Sequence, residues 1–157
     1  MNTVDTTWSR RRFVKTTAGA GAALYWLPYA SAYAATSNTD LLAKSTVEIA
    51  RLIANRDVTS TEVVQACFAR IDAVNPKLNA VVATCRERAL AEAAMADALL
   101  AEGKSMGPLH GVPFTVKDSF DTAGVVTTGG TLGRKTYVPG KDATVVARAR
   151  AAGAILL

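Results

Sequence analysis

The sequence predicts an α/β layered fold, and three observations carry that prediction. Apolar residues recur at helical spacing in several capped segments. Short β-leaning runs at 78–83, 114–117 and 154–157 fall between those segments. Glycine- and proline-rich stretches separate the two kinds of element. The resulting order of strand, helix, strand, loop, helix, strand lays helices over strands.

The first structural signal is a capping box, Ser45-Thr46-Val47-Glu48, in which a serine oxygen accepts from the glutamate amide while the glutamate reaches back. Val47, Ile49, Ala50, Leu52 and Ile53 give that helix its apolar face, and residues 55–58 end it. A second box, Thr59-Ser60-Thr61-Glu62, opens a helix with the stripe Val63, Val64, Cys67, Phe68 and Ile71. Asn75-Pro76 is expected to stop it, because a residue before proline avoids the helical region. A strand over 78–83 follows, then an alanine-rich helix over 85–102 closed by Gly103. Residues 106–113 form a loop, 114–117 a strand, and 118–140 a mostly irregular glycine- and threonine-rich segment. A last helix over 142–152 has Asp142 near its positive end, and a strand begins at Ala154. The closing apolar residues Ile155, Leu156 and Leu157 read as a chain truncated inside a larger domain, since a terminus is normally polar.

Charge narrows the function classes. The 157 residues carry a formal +5, but Arg10, Arg11, Arg12 and Lys15 supply four of the 18 basic groups against Asp5 alone. From residue 35 onward 14 basic residues face 12 acidic ones, a balance of +2. No basic cluster interleaved with aromatics remains, which argues against a nucleic-acid partner. Two cysteines and one histidine do not fill a four-ligand zinc site. Cys67 and Cys85 read as small buried hydrophobes, or as one bridge if their side chains meet in an oxidising compartment.

Residues 1–34 read as an address. Ser9-Arg10-Arg11-Arg12-Phe13-Val14-Lys15 precedes a modestly apolar run over 16–27, and small residues follow Pro28. Ser9, Arg10, Arg11, Phe13 and Lys15 resemble the twin-arginine signal read by bacterial export machinery, with Val14 where leucine is commoner. A general secretory signal and an uncleaved anchor are the alternatives. The run is shorter than the roughly 20 residues a span needs, so no stable membrane anchor is expected. Cleavage near Ala32 or Ala34 would leave the mature protein in the periplasm or outside the cell. Residues 35–44 are read as a polar leader and 45–157 as the folded segment.

The chemistry concentrates in Gly107-Pro108-Leu109-His110-Gly111-Val112-Pro113, then Val116-Lys117-Asp118, then Thr127-Thr128-Gly129-Gly130. A lysine closing an apolar strand is costly unless it has a task or a partner. Together with Asn75-Pro76-Lys77-Leu78-Asn79-Ala80 and 151–157, these motifs resemble the N-terminal part of the amidase signature family, and the resemblance runs from about residue 45 to the end. It implies part of an α/β/α layered domain with a mixed sheet, truncated before completion. It also implies a hydrolase of linear carboxamides with a small-molecule amide substrate, a Ser–cis-Ser–Lys triad and no metal or organic cofactor. The family's base lysine, which in the family acts neutral and draws a proton through a bridging serine, falls on Lys117.

The family's two catalytic serines lie in a Gly/Ser-rich segment beyond the lysine, and 118–157 contains no such segment. Ser119 follows Lys117 by two residues, outside the family's nucleophile context. An N-terminal fragment of an exported amidase, inactive alone, is therefore expected. A non-catalytic remnant is one alternative. Another is a protein like the amidotransferase subunit that passes ammonia to a mischarged tRNA, which an export signal disfavours. Without serines, Lys117 would reach solvent or pair with Asp118 or Asp121. His110 is read as structural. Gly133-Arg134-Lys135-Thr136 lacks the glycine directly before lysine that a phosphate loop requires.

Overall fold

The computed structural model describes residues 38–157. The signal motif at Ser9, Arg10, Arg11, Phe13 and Lys15, and the cleavage sites at Ala32 and Ala34, lie outside the described residues.

Among the described residues five helices and two short strands follow one another: α1 (Asn38–Leu42), α2 (Thr46–Ala54), α3 (Ser60–Leu78), α4 (Arg86–Ala101), β1 (Pro113–Phe114), α5 (Thr144–Ala151) and β2 (Ile155–Leu156). A single 3-10 turn, Leu132–Arg134, interrupts the long loop before α5. Both capping boxes form. Ser45 N donates to the Glu48 carboxylate at 2.8 Å, and Thr59 N donates to that of Glu62 at 2.8 Å. The Ser45 contacts hold the Glu48 carboxyl below its ordinary range.

Helix α3 organises the core. Val63 faces a cluster of Leu41, Ile49, Ile53, Val58 and Val112. Its neighbour Val64 turns with Phe68 toward Ala89, Ala93 and Ile155. Burying each large aliphatic side chain contributes roughly 1.5–3 kcal/mol. The alanines of α4 let that helix approach α3 closely, as Ala89, Ala93 and Ala96 are all fully buried.

The sheet is a parallel pair, Pro113 opposite Ile155 and Phe114 opposite Leu156. Hydrogen bonds extend this pairing backward into the loop: Leu109 N donates to Ala152 O at 2.8 Å and Gly111 N to Gly153 O at 2.9 Å. Close approach explains two glycines. A Cβ at Gly111 (φ +72°) would lie 1.8 Å from Ser60 Oγ, and one at Gly153 (φ +93°) would lie 2.9 Å from His110 Cα.

Several elements depart from the sequence reading. Within the leader, Asn38–Leu42 is helical and buries Leu41 against the first cluster. Pro76 does not stop α3. It sits in the last turn, where its missing N–H removes one rung, and Asn79 closes the helix in a left-handed conformation (φ +49°). No strand forms over 78–83. The Asn75 carboxamide takes the backbone groups a ladder would need: its Oδ1 accepts from Ala80 N and Val81 N, both at 2.9 Å, and its Nδ2 donates to Val81 O at 2.8 Å. The strand expected over 114–117 ends at Phe114, because Leu157 N to Phe114 O (3.1 Å) is the last rung of the ladder. The last helix starts at Thr144 rather than at residue 142, with Ala143 as its N-cap.

Candidate active site

Beyond β1 the chain runs along a cavity of about 530 Å³, a volume suited to a small organic molecule. Val82, Cys85, Val116, Lys117, Thr127 and Leu157 are among its lining residues. Lys117 is exposed at this cavity rather than buried in a strand, since 115–117 lie past the last rung and have no strand beside them among the described residues. Its carbonyl accepts from Phe120 N at 2.9 Å, which folds Lys117, Asp118, Ser119 and Phe120 into a turn. Ser119 thus lies within the turn. Among the described residues neither Asp118 nor Asp121 pairs with Lys117; Asp121 pairs instead with Arg134.

Asp118 turns to Thr127–Gly130. One carboxylate oxygen accepts from Thr128 N at 2.8 Å, and the other accepts from the Thr128 hydroxyl. The Asp118 carbonyl accepts from Gly129 N at 3.2 Å, and Thr128 Oγ1 accepts from Gly130 N at 3.0 Å. The Thr128 hydroxyl, followed by its amide, holds the Asp118 carboxyl below its ordinary range. Gly129 and Gly130 take positive φ (+58° and +74°), and an added Cβ would meet almost nothing at either, so backbone conformation alone selects glycine here.

A second set of contacts anchors the loop over 118–125. Arg88 on α4 donates to Ala123 O at 3.4 Å and lies 3.9 Å from Glu92. Glu92 pairs with Arg150 on α5 at 3.0 Å, Arg150 lies 3.8 Å from Asp142, and Asp142 accepts from Ala123 N at 2.7 Å. Asp142 thus ties the loop to α5. Cys85 sits with its sulfur 3.1 Å from the Arg88 guanidinium. Both thiols are unbonded, which leaves the disulfide unformed, and burial pushes the Cys67 thiol up.

His110 is buried and fully engaged. Its Nδ1 accepts from Met106 N at 3.0 Å, so the proton sits on Nε2 and points at Ala96 O, also 3.0 Å away. Such a ring has no free nitrogen for proton transfer, and the structural reading of His110 stands.

The comparisons with known proteins agree with this architecture. The family profile described as Amidase matches residues 62–157, more than half of the chain. A glutamyl-tRNA(Gln) amidotransferase subunit of Anaeromyxobacter dehalogenans is 48% identical over 105 residues, covering 67% of this chain and 21% of that protein. A putative amidase, AmiD, of Mycobacterium bovis is 44% identical over 110 residues, 70% of this chain and 23% of that protein. Among solved structures, the native peptide amidase of Stenotrophomonas maltophilia superposes with a TM-score of 0.68 at 34% identity, over 73% of this chain and 24% of that one. The chain belongs to the amidase family. It spans less than a quarter of the length of each of these three relatives.

Proposed function

We propose that this chain is the base-bearing segment of an exported amidase that hydrolyses the C–N bond of a small carboxamide. The supporting observation is Lys117, exposed at a cavity of about 530 Å³ and carried by the Val116-Lys117-Asp118 motif. In this reading the Lys117 amine draws a proton through a bridging serine from a serine nucleophile. The nucleophile attacks the amide carbonyl, the C–N bond breaks as the amine leaves with the relayed proton, and water hydrolyses the resulting serine ester to release the acid and restore the serine. In this reading residues 38–157 supply the base and neither serine. The arginine pair Arg10 and Arg11 directs export through the twin-arginine machinery, and the mature protein acts in the periplasm or outside the cell.

A second reading is a tRNA amidotransferase component, favoured by the 48% identity to the glutamyl-tRNA(Gln) amidotransferase subunit from Anaeromyxobacter dehalogenans. Location separates the two, because tRNA charging is cytoplasmic. A reporter fused to residues 1–40 should reach the periplasm, and replacing Arg10 and Arg11 with lysine should stop it. Undiminished periplasmic reporter in the double variant removes the twin-arginine route. For the chemistry, the complete gene product and its Lys117→Ala variant are compared on simple amides. The variant should lose at least about 10³-fold in kcat; equal turnover removes Lys117 from the mechanism.

A further inference from the structure

We propose that Asp118 is the positioning residue of this site, fixing the direction of Lys117 through its clamp on Thr128. The inference rests on the hydrolase reading above. Among the described residues no ladder holds Lys117, because the pairing of β1 with β2 ends at Phe114. A lysine side chain has about 2 kcal/mol of rotamer entropy, so a base on an unanchored backbone would sample many directions. The structure supplies anchors on its C-terminal side instead. Phe120 N closes the turn on the Lys117 carbonyl at 2.9 Å. The next residue, Asp118, then ties that turn to the Thr127–Gly130 segment through both carboxylate oxygens and its own carbonyl.

The clamp joins residues ten apart and is closed on itself. The Thr128 hydroxyl donates to Asp118 and accepts from Gly130 N at 3.0 Å, so loss of the carboxylate releases the hydroxyl and the glycine turn together. Thr127, the residue before the clamp, is buried and lines the same cavity as Lys117. Asp118, which lines that cavity as well, therefore sets the spacing between two parts of its wall. Positioning errors of this kind act on the reacting geometry, where a misplacement of an ångström can cost about 10²-fold in rate.

The test uses the complete gene product with a simple carboxamide and a p-nitroanilide. Asp118→Ala should lower kcat at least about tenfold and leave KM within about threefold. Asp118→Asn should recover kcat to within about threefold of the wild type, because its carbonyl still accepts from Thr128 N and its amide can donate to the hydroxyl. Thr128→Val should repeat the loss and Thr128→Ser the recovery; this pair carries the test if Asp118→Ala does not fold. Turnover of Asp118→Ala equal to the wild type overturns the inference. So does an Asp118→Asn variant as impaired as Asp118→Ala, which would make charge rather than hydrogen-bond geometry decisive. Full turnover in Lys117→Ala instead removes Lys117 from the mechanism, and no turnover of either amide by the wild type removes the hydrolase reading itself.

Discussion

Asp97, near the end of α4, caps the start of α3: its carboxylate accepts from Ser60 N at 2.7 Å and from Thr61 N at 3.1 Å. The Thr61 hydroxyl adds a third bond at 2.6 Å. Helix α3 thus has two caps, the local Thr59–Glu62 box and a carboxylate from 36 residues away, and they satisfy different amides.

That arrangement sets the first prediction. Asp97→Ala leaves the buried Ser60 amide without an acceptor and should destabilise the protein by about 1–3 kcal/mol. Asp97→Asn, which keeps one acceptor, should lose less than half as much. Urea denaturation midpoints check both, and an Asp97→Ala midpoint equal to the wild type would discard the tertiary cap.

Gly111 gives the second. Alanine there combines positive φ with a Cβ lying 1.8 Å from Ser60 Oγ. Gly111→Ala should destabilise by about 2 kcal/mol or more. Adding Ser60→Gly should restore part of the loss, since the backbone strain persists while the collision goes. Strict additivity of the two substitutions would place the collision elsewhere.

Acidification gives the third. The folded Asp118 carboxyl has a lower pKa than the unfolded one. Its contribution is therefore full above the unfolded pKa and is lost as pH falls through the folded value. Stability measured between about pH 2 and 6 should fall more steeply in the wild type than in Asp118→Asn once the pH drops below about 4. Glu48, lowered for the same reason, should behave likewise in Glu48→Gln. Parallel pH curves for wild type and variant would contradict the assignment.

Asn75 gives the fourth. Its side chain holds the chain at Ala80 and Val81 with three hydrogen bonds. Asn75→Ala should cost about 1–2 kcal/mol and speed amide exchange at residues 80 and 81 about tenfold or more, with little change in α4. Unchanged exchange at those two amides would show that other contacts hold the segment.

Much of this architecture was legible in the chain itself. Both capping boxes, the Val63, Val64 and Phe68 stripe and the alanine helix ended by Gly103 (φ +76°) needed only neighbours within a few residues. The Val116-Lys117-Asp118 and Thr127-Thr128-Gly129-Gly130 motifs, and the amidase resemblance they carry, were equally visible. The 78–83 and 114–117 runs were misread because a strand is defined by what lies beside it. Asn75 had already claimed the backbone of the first, and the ladder ran out under the second.

What the sequence determined alone is therefore local: helix starts, the apolar stripes, the motif that bears Lys117. Only the tertiary structure decided that Asp97 caps α3, that Arg150 joins Glu92 across 58 residues, and that Asp118 grips Thr128 rather than pairing with its neighbour Lys117. The physical reason is range. A bond within one helical turn follows from spacing, whereas a carboxylate's distant partner depends on which chain segments packing has brought within 3 Å.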